Sequence, residues 1–183
     1  MKKADNKRKM TRQEAKAAYQ NMTPAQKGEL LSALLILYNK KPVQENLMPV
    51  MQMLMDNVPV GVPMKIDEKD LEMVKEAKEK KIELERGKVT MKTVILKHPD
   101  GKDFLPVFSR KQEVPKEFYD KYFWVQMPFK DCAKLVKSML AVDEIRINSF
   151  TQNLIMPKEA LDSVLIVDQL RPFDEKKTEK TEE

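Results

Sequence analysis

The sequence predicts an α+β fold: a small mixed or antiparallel sheet with flanking helices, preceded by a helical basic N-terminal arm. Three observations carry this. Up to about residue 80 the apolar period is mainly helical, interrupted by one extended run over Val58 to Met64, and from Val89 onward it switches to two. His98-Pro99-Asp100-Gly101 separates two apolar runs, which makes a β-hairpin and demands antiparallel pairing. Strands and helices then intermingle without the strict alternation of a doubly wound sheet.

A chain of 183 residues, 42% of them hydrophobic, can bury a core. Its 34% charged residues make a very polar surface. The expected organisation is an arm over 1–22, one α+β domain over 23–171 and a polar tail over 172–183. Four glycines leave no Gly-rich phosphate loop, and one cysteine excludes a disulfide framework or a multi-Cys zinc site. The basic start, MKKADNKRKM, runs into TRQEAKAAYQN with no apolar segment between, unlike a secretory signal. The longest apolar run, Leu30 to Tyr38, falls short of the roughly 20 residues that span a bilayer. A cytoplasmic protein with no membrane partner is expected.

Residues 12–20 have good helix propensity but a weak apolar face. Thr23, Pro24 and Gln26 form a helix start: N-cap, first-position proline and capping box. That helix runs to about Asn39. Its Leu30–Tyr38 stretch predicts burial on more than one face. Leu47, Val50, Met51, Leu54 and Met55 predict a second helix over about 44–57, with Pro49 inside its pattern. Met48, Met51, Met53 and Met55 read first as core packing and second as an adaptable surface.

Val58 to Met64 is extended, and its two prolines predict an edge strand. A thin stripe of Leu71, Val74 and Ala77 predicts an exposed helix over 68–80 within the charged run 67–87. Val89 to Lys97 reads as one strand and Phe104 to Phe108 as its hairpin partner. Pro115 opens a helical turn to Tyr122, and Phe123 to Met127 is a strand. Pro128 opens a helix with Cys132, Leu135, Val136, Met139 and Leu140 inward. Residues 144–148 and 153–156 are strands. Pro157 begins a final helix with Ala160, Leu161, Val164 and Leu165 inward.

No residue pattern announces catalysis. His98, the single imidazole, sits in a turn and reads as a solvated bystander. Cys132 lies on an apolar stripe, where a thiol is buried and inert. There is no Walker motif, dinucleotide fingerprint or metal-ligand spacing. The expectation is no enzyme, no cofactor and no metal. The net charge of +5 is concentrated in residues 1–41, which hold ten Lys/Arg against three Asp/Glu. Such a segment either keeps the chain soluble or meets nucleic acid.

One polar cluster stands apart. Asn148-Ser149-Phe150-Thr151-Gln152-Asn153 links two apolar strands and surrounds an aromatic ring with polar groups. It either closes its own turn or presents Asn148, Phe150 and Asn153 to a partner.

The segment from Ile145 to Glu159, IRINSFTQNLIMPKE, resembles the late motif I-x-I-N-P-F-G-x-N-L-x-L-P-[KR]-E of the SseB N-terminal-domain family, named for enhanced serine sensitivity. Asn46-Leu47 through Val58-Pro59-Val60, Gly101-Lys102 through Leu105-Pro106-Val107-Phe108-Ser109, and Val125-Gln126-Met127-Pro128-Phe129 resemble further pieces in order. The similarity spans about 43–167. It departs at Ser149, where the family usually has proline, and at Thr151, where it usually has glycine. A glycine with positive φ there would make Thr151 a strained residue. The resemblance implies a small α+β domain and carries over no cofactor or catalytic residue. Two functions follow: a non-catalytic cytoplasmic protein-interaction or regulatory module, or a nucleic-acid-associated protein using residues 1–41.

Overall fold

The computed structural model describes residues 12–80 and 89–170. Three helices open the fold: α1 (Arg12–Gln20), α2 (Pro24–Lys40) and α3 (Gln44–Met55). The expected capping box is formed, with Gln26 N donating to Thr23 Oγ1 and Thr23 N to Gln26 Oε1. Leu31 and Leu35 of α2 are fully buried, and Leu30, Leu34 and Tyr38 pack beside them, but Leu37 is exposed. Tyr19 reaches the same core from α1, with the Lys27 ammonium over its ring. Pro49 lies inside α3 and cannot donate to the carbonyl four residues back. The methionine-rich stretch divides: Met53 is core, Met48 is exposed.

Two sheets follow instead of the single one expected. β1 (Pro59–Ile66) is flanked by β2 (Met91–Thr93) and β5 (Phe123–Pro128), antiparallel throughout. The second sheet runs β3 (Leu96–Lys97), β4 (Asp103–Val107), β6 (Glu144–Ile147), β7 (Leu154–Pro157). Its β4–β6 pair is parallel and the others antiparallel, so it is the mixed sheet. The expected strand Val89–Lys97 is therefore broken at Val94-Ile95, and its halves belong to different sheets. Val94 is buried at the break and donates its N–H to the Pro63 carbonyl.

β1 is central, which corrects the edge-strand expectation. Pro59 pairs at the end of the ladder, opposite Pro128. Pro63 faces β2, where its carbonyl is used and no N–H is needed. Both prolines thus occupy positions where a missing donor costs little. Gly61, between them, exchanges two backbone hydrogen bonds with Phe108 at 2.7 and 2.9 Å, the bridge joining the two sheets.

α4 (Glu68–Lys80) buries Val74 and Ala77 as its stripe predicts. The charged residues 81–87 lie outside the described residues. α5 (Lys116–Lys121) leads into β5, and α6 (Phe129–Ser138) turns Phe129, Cys132, Ala133 and Val136 inward. That helix stops at Ser138, so Leu140 is fully exposed instead of completing the stripe. α7 (Leu161–Leu170) buries Leu161 and Val164. Val60 and Val62 of β1, Leu105 and Val107 of β4, and Ile145 and Ile147 of β6 meet α2, α3, α6 and α7 in one core. Each such side chain contributes roughly 1.5–3 kcal/mol by leaving water.

Candidate interaction site

The 148–153 loop closes the β6–β7 hairpin. Asn148 and Asn153 have φ of 53° and 48°, left-handed values that asparagine tolerates better than most residues. Thr151 N and Asn153 N both donate to the Asn148 carbonyl at 2.9 Å, while Asn148 N donates to Val107 O. Thr151 is not among the positive-φ residues, so replacing the family's glycine brings no backbone strain.

Asn148 is completely buried and its side chain is fully committed. Its Oδ1 accepts from Ser109 N at 2.8 Å, and its Nδ2 donates to Ser109 Oγ at 3.0 Å and Gln152 Oε1 at 2.6 Å. Asn153 is exposed. Phe150 is 44% exposed, although it sits in a turn otherwise filled with polar groups. Of the three predicted residues, then, the structure turns two outward and one inward. Beside them, Ser149 Oγ is buried with no hydrogen-bond partner among the described residues.

A buried carboxylate anchors the loop from below. Glu113, in the three-ten turn Lys111–Glu113 after β4, is 4% exposed. Its Oε1 accepts from Ser32 Oγ at 2.5 Å and Arg110 Nε at 2.8 Å. Its Oε2 accepts from Thr151 Oγ1 at 2.7 Å and Gln152 Nε2 at 3.0 Å. Burial works to raise the pKa of this group. Hydrogen bonds from Ser32, Thr151, Arg110 and Gln152 outweigh burial and hold it at about 2. One turn before Ser32, Gly28 lies against the Ser109 carbonyl; a Cβ there would stand 2.1 Å from that oxygen. The helix can press so closely on the segment after β4 because position 28 has no side chain.

Phe150 is the outer member of an aromatic cluster. It stacks on Phe108 (centroids 5.8 Å apart, planes 10° apart) and meets Phe118 edge-on at 5.0 Å. Phe108 and Phe118 both contact Trp124, and Trp124 stacks on Tyr119 at 5.0 Å. The indole N–H donates to the Tyr119 carbonyl at 2.8 Å, and the Lys111 ammonium stands 4.1 Å from the Tyr119 ring centroid. A cavity of about 220 Å³ opens beside this cluster, lined by Gly61, Phe108, Arg110, Lys111, Tyr119 and Trp124 among others.

Catalytic geometry is lacking at the candidates the sequence offered. His98 pairs with Asp100 in its exposed turn at 2.9 Å. Burial, aided by Asp131, pushes the Cys132 thiol up to about 12, so it carries almost no thiolate at neutral pH. No three His, Cys, Asp or Glu residues group as metal ligands among the described residues. No described helix is long and apolar enough to cross a membrane.

Glu113, Ser32, Gly28 and the Tyr119–Trp124 pair lie outside the site that the sequence predicts. Signals existed for three of these. Ser32 is a lone hydroxyl inside an apolar run, Gly28 is a glycine inside a helix, and residues 118–124 hold five aromatics in seven positions. Glu113 offered none, because three of its four donors come from two distant segments, α2 and the 148–153 loop.

The structure is thus a small α+β domain whose 148–153 loop is clamped by a buried carboxylate and flanked by an aromatic cluster. The chain belongs to the SseB family: the model of the SseB protein N-terminal domain matches residues 31–162. No curated protein and no solved structure matches the chain.

Proposed function

We propose that this SseB-family chain is a non-catalytic protein-interaction module, and that Phe150 leads its docking surface. The observation carrying this is Phe150 itself: 44% exposed, yet fixed by stacking on Phe108 and by Phe118 at its edge. A rigid aromatic ring held out to solvent suits the centre of a protein interface. Asn153 stands beside it as a polar contact. Asn148 supports both from inside by closing the loop.

Phe150→Ala together with Asn153→Ala tests this. The double variant should stay folded with most of its stability, losing about 1–3 kcal/mol from the ring contacts of Phe150 and the left-handed φ of Asn153. A partner identified by mass spectrometry with the wild-type chain is lost with the variant. Equal recovery of that partner by the folded variant would sink the assignment.

The alternative is nucleic-acid binding through residues 1–41. The charge of that segment supports it, although residues 1–11 lie outside the described part. It demands binding that weakens steeply between low and physiological salt. Salt-insensitive retention excludes it.

A further inference from the structure

The four sheet edges are not alike. β2 is three residues long and carries Lys92; β3 is two residues long and carries Lys97. β7 is four residues long and ends in Pro157. Short length, lysine and proline all blunt an edge against pairing with another chain. β5 is six residues long, and its sequence FWVQMP has no charge and its proline only at the end.

The hydrogen-bond pattern shows which groups that edge offers. Gly61 turns its N–H and C=O to Phe108, away from β5. In an antiparallel pair its opposite residue, Gln126, then also turns its backbone outward. Trp124, two residues earlier, follows the same alternation. No described residue bonds the backbone N–H or C=O of Trp124 or Gln126. Both residues also line the cavity described above. Lys111 and Lys116 stand around this cavity and the hollow adjoining it, against one lining acid, Asp120, while Arg110 is already paired with Glu113 at 2.8 Å.

We infer that the outer edge of β5 receives an extended acidic segment of a partner protein as an added strand. The segment pairs its backbone with Trp124 and Gln126. It sets an apolar or aromatic side chain in the cavity beside Tyr119 and Trp124, and its carboxylates face Lys111 and Lys116. The backbone pairing supplies affinity and the cavity supplies selectivity. This deepens the interaction reading above and rests on it only in taking the partner to be a protein.

A display library of short random peptides, selected on the full chain, is the probe. Selected peptides are expected to be net acidic with an apolar residue at a fixed position. Their binding shifts the emission of Trp124, the sole tryptophan of the chain. Gln126→Pro removes the outward N–H and leaves the β1 ladder intact; it should weaken binding at least about tenfold. If that variant fails to fold, N-methylation of the selected peptide substitutes for it. Methyl groups on one alternate set of peptide nitrogens should weaken binding by the same factor, and on the other set they should not.

Several results would overturn the inference: no enrichment, basic or charge-indifferent peptides, indifference to both backbone changes, or a dimer that Gln126→Pro dissolves. The two readings separate cleanly. Peptides lost on Phe150→Ala but indifferent to the backbone changes leave the Phe150 surface standing and remove the β5 strand. The reverse pattern removes Phe150 and keeps β5.

Discussion

Ser32 on α2 donates its hydroxyl to the carboxylate of Glu113 at 2.5 Å, across 81 residues of sequence. The bond ties the first long helix to the turn that carries the interaction loop. Thr151 and Gln152 complete the same carboxylate from the other side.

Ser32→Ala should therefore destabilise the chain by about 1.5–3 kcal/mol, the range for a hydrogen bond to a charged group. Combined with Glu113→Gln, its cost should be less than additive, since both changes touch one network. Urea titration of the two single variants and the double variant measures the coupling.

The same carboxylate sets an acid limit. Its folded pKa of about 2 lies below the ordinary 4.5. A depressed pKa means the unfolded chain binds the proton first, so the stabilisation is complete above about pH 5 and is lost as pH falls through the folded value. Between about pH 5 and 2 the wild type should lose up to about 3 kcal/mol from this group. Glu113→Gln should show a flatter stability profile over that window. Parallel profiles would mean that Glu113 is not the titrating group.

Gly28→Ala inverts the usual rule for helices. Elsewhere in a helix the change gains up to about 1 kcal/mol. Here the new Cβ would stand 2.1 Å from the Ser109 carbonyl. The backbone must move apart, and a net loss of about 1–3 kcal/mol is expected. A rise in melting temperature would show that α2 and the segment after β4 separate freely.

Ser149→Ala is expected to stabilise, by about 1 kcal/mol, because it removes a buried hydroxyl with no partner. The melting temperature should rise with no change at neighbouring positions. A fall would reveal a hydrogen bond that this hydroxyl makes in solution.

Local chemistry was legible in the sequence and long-range pairing was not. Thr23 and Gln26 cap α2 as their spacing requires, because a capping box involves only neighbours. Asn148 and Asn153 stood out as turn residues, and both take left-handed φ. The run from Val89 to Lys97 gave no sign of its division, because either half alternates well enough to form a strand. Pro63 argued for an edge; what decided otherwise was that its missing donor faces a site where only its carbonyl is used. The loop's dependence on Glu113 needed the meeting of α2, the turn after β4 and the β6–β7 hairpin, which no local pattern encodes.

The division of the 91–97 segment has a consequence for how this chain comes apart. Along the sequence the strands enter the first sheet twice, the second twice, the first once more and the second twice again. Neither sheet is a contiguous stretch, so no cut in the chain releases one sheet whole. Melting either sheet must pull strands from the other through β2–β3 and through the Gly61–Phe108 joint. The described region should therefore unfold as one cooperative unit without a half-folded stage. Its refolding should be slow for its size, since most strand pairs must close large loops first.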